Sequence, residues 1–169
     1  MNMEGTRQIA APPSEVWAAL LDADVLKATV PGCQELTGSP EEGFAATVVQ
    51  KVGPVKATFK GTVTISDVVE GQSLKLSGEG KGGAAGFAKG GADVRIEADG
   101  DGTLLSYDVE AKVGGKLAQL GSRIIDGFSK KMADQFFERF AEVVGGPAED
   151  GETEEPKKGW LRRIVSSGG

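Results

Sequence analysis

The sequence has no histidine in its 169 residues. Histidine is the usual general base, proton shuttle and metal ligand near neutral pH. A Ser-His-Asp or Cys-His nucleophile therefore cannot be assembled from this chain. Cysteine is almost as scarce: Cys33 stands alone. That excludes a disulfide framework and a CxxC metal cluster, and it fits a reducing compartment. Zinc would have to rely on carboxylates and one thiolate, a poor donor set. No apolar run approaches the roughly 18 residues a membrane-spanning helix needs, and "MNMEGTRQIAAPP" lacks the apolar segment of a secretory signal. Positive charge is in deficit, with 19 Lys+Arg against 25 Asp+Glu and a net charge of −6. The molecule as a whole thus offers no electrostatic footprint for nucleic acid.

What the sequence does have is glycine, 26 residues of it, half of the stretch "GEGKGGAAGFAKGG" at 78–91. A hydrophobic content of 39% is enough for one domain with a real core. "MEGTRQIAA" alternates and reads as a first strand, stopped by Pro12-Pro13. A short helix is expected over about 13–21 and a second over about 23–29, with Asp22 as its cap. Strands are then expected in "GFAATVVQK", "VKATFKGTVTISDV", "SLKLSGEGK", "FAKGGADVRIEAD" and "TLLSYDVEAKV", joined by tight turns into a meander. In the second of these, Val55, Ala57, Phe59, Gly61, Val63 and Ile65 share one face and the polar residues share the other. After Gly114-Gly115, "KLAQLGSRIIDGFSKKMADQFFERFAEVV" predicts one long helix with an apolar stripe through Leu117, Leu120, Gly121, Ile124, Ile125, Phe128, Met132, Phe136 and Phe140.

This order predicts an α+β, helix-grip (START-like) fold. A curved antiparallel sheet of about seven strands wraps a long C-terminal helix, with two short helices after the first strand. An internal apolar cavity between sheet and helix goes with it. The alternation points Ala57, Phe59, Gly61, Val63, Leu76, Gly78, Val94, Tyr107, Val109 and Ala111 inward. The expected lining is Phe59, Val63, Leu76, Phe87, Val94, Tyr107 and Val109 from the sheet, and Leu117, Leu120, Gly121, Ile124, Phe128 and Met132 from the helix. Tyr107, the single tyrosine, could offer a hydrogen bond to a ligand carbonyl, or only pack in the core.

The glycine stretch is followed by a strand, not a helix, and contains no GK[ST], so it is no phosphate loop. It is either a plain hairpin or a gate, in which Gly82, Gly83 and Gly86 let the strands bend and Phe87 folds over the mouth. Cys33 has no basic neighbour beyond Lys27 and reads as an ordinary thiol. Asp22, Asp24, Asp93, Asp108 and Glu110 fall at outward or turn positions and read as solvated.

Three segments are expected: a ligand-binding domain over 1–145, an acidic flexible linker over 146–156, and a basic amphipathic tail over 157–169. At 100° per residue Trp160, Leu161, Ile164 and Val165 occupy one arc of the tail, Arg162 and Arg163 lie opposite, and Lys157 and Lys158 precede them. Apolar anchor plus basic face is the pattern of a membrane-surface segment, and equally suits a peptide docking into a protein groove.

Five stretches resemble one family: "VPGCQEL" (30–36), "KVGPVKATFKG" (51–61), "GKGGAAGFAKGGADV" (80–94), "LSYDVEAKVGGKLAQLGSRII" (105–125) and "FF" (136–137). Together they resemble the carbon monoxide dehydrogenase CoxG family of the START-like superfamily over about residues 1–145. The resemblance implies an accessory protein to molybdenum-containing carbon monoxide dehydrogenase, acting at the inner face of the cell membrane. It would recruit the dehydrogenase, or carry respiratory quinone of the menaquinone or ubiquinone type to it. Its expected partners are the dehydrogenase, the cytoplasmic membrane surface and an apolar small molecule, with no nucleic acid, no metal and no covalent cofactor. A carrier and a pure anchor or assembly factor both stay open at this point; an enzyme is disfavoured by the missing histidine.

Overall fold

The computed structural model describes residues 1–145. The linker and tail expected beyond them, including the basic and apolar residues from Lys157 to Val165, lie outside the described residues.

Strand β1 (Asn2–Ile9) opens the chain. Pro13 then begins helix α1 (Pro13–Leu20), where a missing N–H removes no intrahelical bond. Asp22 caps helix α2 (Ala23–Thr29), its Oδ1 accepting from the backbone N–H of Asp24 at 2.8 Å and of Val25 at 3.3 Å. Six strands follow: β2 (Cys33–Ser39), β3 (Gly43–Val52), β4 (Val55–Val69), β5 (Ser73–Lys81), β6 (Phe87–Asp99) and β7 (Gly102–Gly114). They form one antiparallel seven-stranded sheet in the order β1-β7-β6-β5-β4-β3-β2. Each strand from β2 to β7 pairs with its sequence neighbour, as tight turns dictate, while α1 and α2 carry the chain from one edge of the sheet to the other. The helix-grip arrangement is present as the pattern required. In β4 the burial alternates strictly from Val55 to Ile65, with the apolar set turned inward.

The long helix is not continuous. It divides into α3 (Lys116–Gln119) and α4 (Ser122–Gly145), separated at Gly121, whose φ is +90°. A residue in that region cannot continue a right-handed helix, and glycine adopts it without a Cβ clash. The break rephases the apolar stripe, so Gly121 is exposed and Ile124 is 38% exposed, against the expectation that both line a cavity. Ile125 carries the stripe instead, buried, followed by Phe128, Met132, Phe136 and Phe140.

Two apolar clusters hold helix and sheet together. The larger joins α1, the far ends of β6 and β7, and the C-terminal half of α4, around Val16, Trp17, Ile96, Leu105, Tyr107 and Phe140. The smaller joins Val52, Leu117 and Ile125, with Val55, Phe59, Val113, Leu120 and Phe128 packed against them. They lie at opposite ends of the sheet, and what lies between them positions the site.

Candidate ligand-binding site

The inner face of the sheet is built of small residues between these clusters. Register places Val63 beside Gly78, Gly78 beside Gly90, and Gly90 beside Ala111. One step along, Ala46 lies beside Gly61, Gly61 beside Gly80, Gly80 beside Ala88, and Ala88 beside Val113. Apart from Val113, none of these residues belongs to either cluster. On α4, Phe128 packs with the smaller cluster and Phe136 with the larger, while Met132, one turn from each, is half-buried and joins neither. A Cβ built on Gly80, whose φ is not positive, would meet no atom within 4 Å. Small side chains thus line the inner face over five adjacent strands. The rim is apolar: Phe59, Val63, Leu76, Val109, Phe128 and Met132 are all half-buried. Val94, Tyr107 and Leu117, expected on the same lining, are buried within the two clusters.

Other glycines serve close backbone approach. A Cβ on Gly61 would come within 2.8 Å of the Glu79 carbonyl oxygen, and one on Gly90 would run into that of Glu110. This is how the middle strands bend tightly enough to wrap the helix.

The glycine hairpin is a packed turn. A 3-10 turn over Gly83–Ala85 buries Ala85, and the Gly82 N–H donates to the Gly86 carbonyl at 2.8 Å. A Cβ on Gly82 would strike the Phe59 ring, while Gly83 and Gly86 have φ of +61° and +110°. Phe87 does not cover a mouth, contrary to the expectation of a lid: its ring lies across Gly114 on the outer face of the sheet, 42% exposed. Counting by two from inward Val94 reaches Ala88, which leaves Phe87 facing out.

A polar group flanks the larger cluster. Arg7 Nη2 donates to Tyr107 Oη at 3.1 Å and to Asp134 Oδ1 at 2.6 Å, and Lys130 Nζ donates to Asp134 Oδ2 at 3.0 Å. The guanidinium lies 5.0 Å from the Phe137 ring centroid, and that ring stacks on Tyr107 at 5.3 Å. Hydrogen bonds from Arg7 first and Lys130 second hold the Asp134 carboxyl below its usual range. Burial pulls the Arg7 guanidinium down, but its bonds to Tyr107 and Asp134 together outweigh that and raise it. The Tyr107 hydroxyl is thus occupied as an acceptor at the β1 edge, above Gly5, where a Cβ would approach it to 2.6 Å. Sequence reasoning passes over Arg7 and Asp134, although Arg7 shares the inward parity of Met3, Gly5 and Ile9. It passes over Trp17 as well, which is 5% exposed and whose Nε1–H is buried without a hydrogen-bond partner.

Burial pushes the Cys33 thiol up, against smaller opposing effects of its bond to the Glu35 carbonyl and of Lys27. Nucleophilic cysteines are shifted the other way. Asp22, Asp24, Asp93, Asp108 and Glu110 are all exposed, and no group of three metal-ligating side chains occurs among the described residues. No described helix is long and apolar enough to cross a membrane.

Comparison with known proteins gives a family and a fold. The family of the carbon monoxide dehydrogenase protein CoxG matches residues 5–145. No curated protein matches. Among solved structures, a conserved protein from Geobacillus kaustophilus is similar at 26% identity and TM-score 0.79, covering 85% of this chain and 95% of its own. A START superfamily protein from Mycobacterium smegmatis is similar at 14% identity and TM-score 0.64, over 85% of this chain and 96% of its own. The second likeness is one of fold.

Proposed function

Because this chain belongs to the carbon monoxide dehydrogenase CoxG family, we propose that it is a non-catalytic carrier serving a molybdenum-containing carbon monoxide dehydrogenase. It holds an apolar respiratory quinone between sheet and α4 and moves it between the cytoplasmic face of the membrane and the enzyme. The observation that carries this reading is the apolar, half-buried band between the two clusters. Apolar space with few polar groups is the usual form of a small-molecule site. Quinones are insoluble and confined to the bilayer, so their passage to a soluble enzyme calls for such a container.

With no histidine in the chain, acid-base chemistry on such a ligand has no ready agent. Solvent extraction or native mass spectrometry of the protein purified from membrane-containing cells should recover an isoprenoid quinone in stoichiometric amount. Protein that carries none, and takes up none from quinone-loaded vesicles, would be an anchor or assembly factor instead.

The tail sequence assists by contact with the membrane. Trp160 and Leu161 supply apolar area, and Lys157, Lys158, Arg162 and Arg163 supply charge. Trp160→Ala should weaken co-sedimentation with anionic vesicles about threefold to tenfold, given the area of one indole. Unchanged sedimentation would assign the tail to a protein groove.

A further inference from the structure

The acidic net charge conceals a polarised molecule. Three lysine–lysine pairs stand in register across neighbouring strands: Lys51 with Lys56, Lys60 with Lys81, and Lys89 with Lys112. All six side chains are exposed, and all lie toward the end of the sheet that carries the β3–β4 turn and the β5–β6 hairpin. Lys116 and Arg123, at the starts of α3 and α4, extend the same end. Glu79, beside Lys89, and Asp126, in the second turn of α4, are acids close by. The opposite end is acidic, with Glu41 and Glu42, Glu70, and Asp99 and Asp101 in its turns.

Like charges directly across a strand pair destabilise a sheet. Repeating that arrangement three times at one end has no account in the stability of the domain. It has one in binding an anionic surface. The large apolar residues left exposed at this end are Phe87, cross-strand from Lys81, and Ile124, beside Gly53 of the β3–β4 turn.

We infer that this lysine-rich end is a second, tail-independent docking surface, and that its occupant is the anionic leaflet of a membrane. Basic side chains surrounding projecting apolar ones are suited to lipid headgroups with acyl chains beneath. The choice of lipid over an acidic protein rests on the carrier reading, in which the cargo resides in the bilayer. The smaller apolar cluster joins sheet and helix at this same end, so docking here brings that cluster toward the lipid.

The test uses the full chain carrying Lys60→Gln, Lys81→Gln, Lys89→Gln and Lys112→Gln together, with the tail intact. Sedimentation with vesicles of equal phosphatidylglycerol and phosphatidylcholine should fall by about tenfold or more, while weak binding to pure phosphatidylcholine stays as it was. Four Lys→Arg changes at the same positions should keep wild-type sedimentation, since charge is retained. Thermal unfolding of the Gln variant should occur at the same temperature or higher, because repulsion has been relieved. Wild-type sedimentation of the Gln variant overturns the inference, as does an Arg variant that binds as weakly as the Gln variant. Intact vesicle binding with lost retention by the purified dehydrogenase also overturns it and assigns the surface to a protein. Uptake of a soluble short-chain quinone without vesicles separates the two readings. If the wild type takes up none while the lysines still govern vesicle binding, the carrier reading fails and the docking surface stands.

Discussion

Gly80→Leu is expected to remove most ligand binding and leave the fold intact. Gly80 lies on the inner face of β5, between Gly61 and Ala88. Its φ is not positive, and an added Cβ meets nothing within 4 Å, so a side chain enters free space. A leucine fills a substantial part of a site that typically measures about 300–1,000 Å³. It also limits the unfolded chain more than glycine does, which favours the folded state. Affinity for a short-chain quinone, read from Trp17 fluorescence in a Trp160→Phe background, should drop at least about tenfold, as loss of much of the buried ligand area implies. The thermal midpoint should hold or rise. Two other glycines provide the contrast. A side chain at Gly90 runs into the β7 backbone and should impair folding, and one at Gly121 strains a positive φ on an exposed surface without entering the site. Wild-type affinity in Gly80→Leu would place the ligand elsewhere.

Phe140→Ala should cost about 3–5 kcal/mol, the usual loss when a fully buried aromatic is cut to a methyl group. Phe140 has no exposed surface and stacks on Phe136 with ring centroids 5.6 Å apart. Domains of this size have roughly 5–15 kcal/mol of stability in total, so the variant should melt many degrees lower. Phe128→Ala, three turns earlier on the same helix, should behave differently. Phe128 is half-buried at the border of the small-residue band, so truncation costs less stability and acts chiefly on ligand affinity. Urea unfolding of the two variants, with quinone titration of each, checks the difference. Equal losses of stability would mean that the band is filled and the core continuous.

Much of the architecture is legible in the sequence because its signals are local. Alternation from Val55 to Ile65 fixes which face of β4 turns inward, since side chains on a strand alternate by geometry. Pro12-Pro13 and Asp22 mark helix starts through a missing donor and a capping carboxylate. The outward position of Phe87 and the inward position of Arg7 are also within reach, because each follows by counting from Val94 or Ile9. Apolarity misleads at Phe87, and charge misleads at Arg7.

Period and turn chemistry act within a few residues, so the letters alone establish a histidine-free helix-grip chain and the inward face of β4, while Phe87, Gly121 and Ile124 escape them. Five of its stretches also pointed to the family. The rest depends on contacts between distant parts of the chain. Whether Gly121 continues a helix depends on a backbone angle that a stripe of apolar letters does not encode. That the Tyr107 hydroxyl accepts from Arg7, itself held by Asp134, depends on residues 100 positions before it and 27 after it. The separation of the core into two clusters, and the alignment of lysines into facing pairs, arise from register between strands distant along the chain. Register is a property of pairing, and pairing exists only once the sheet has formed.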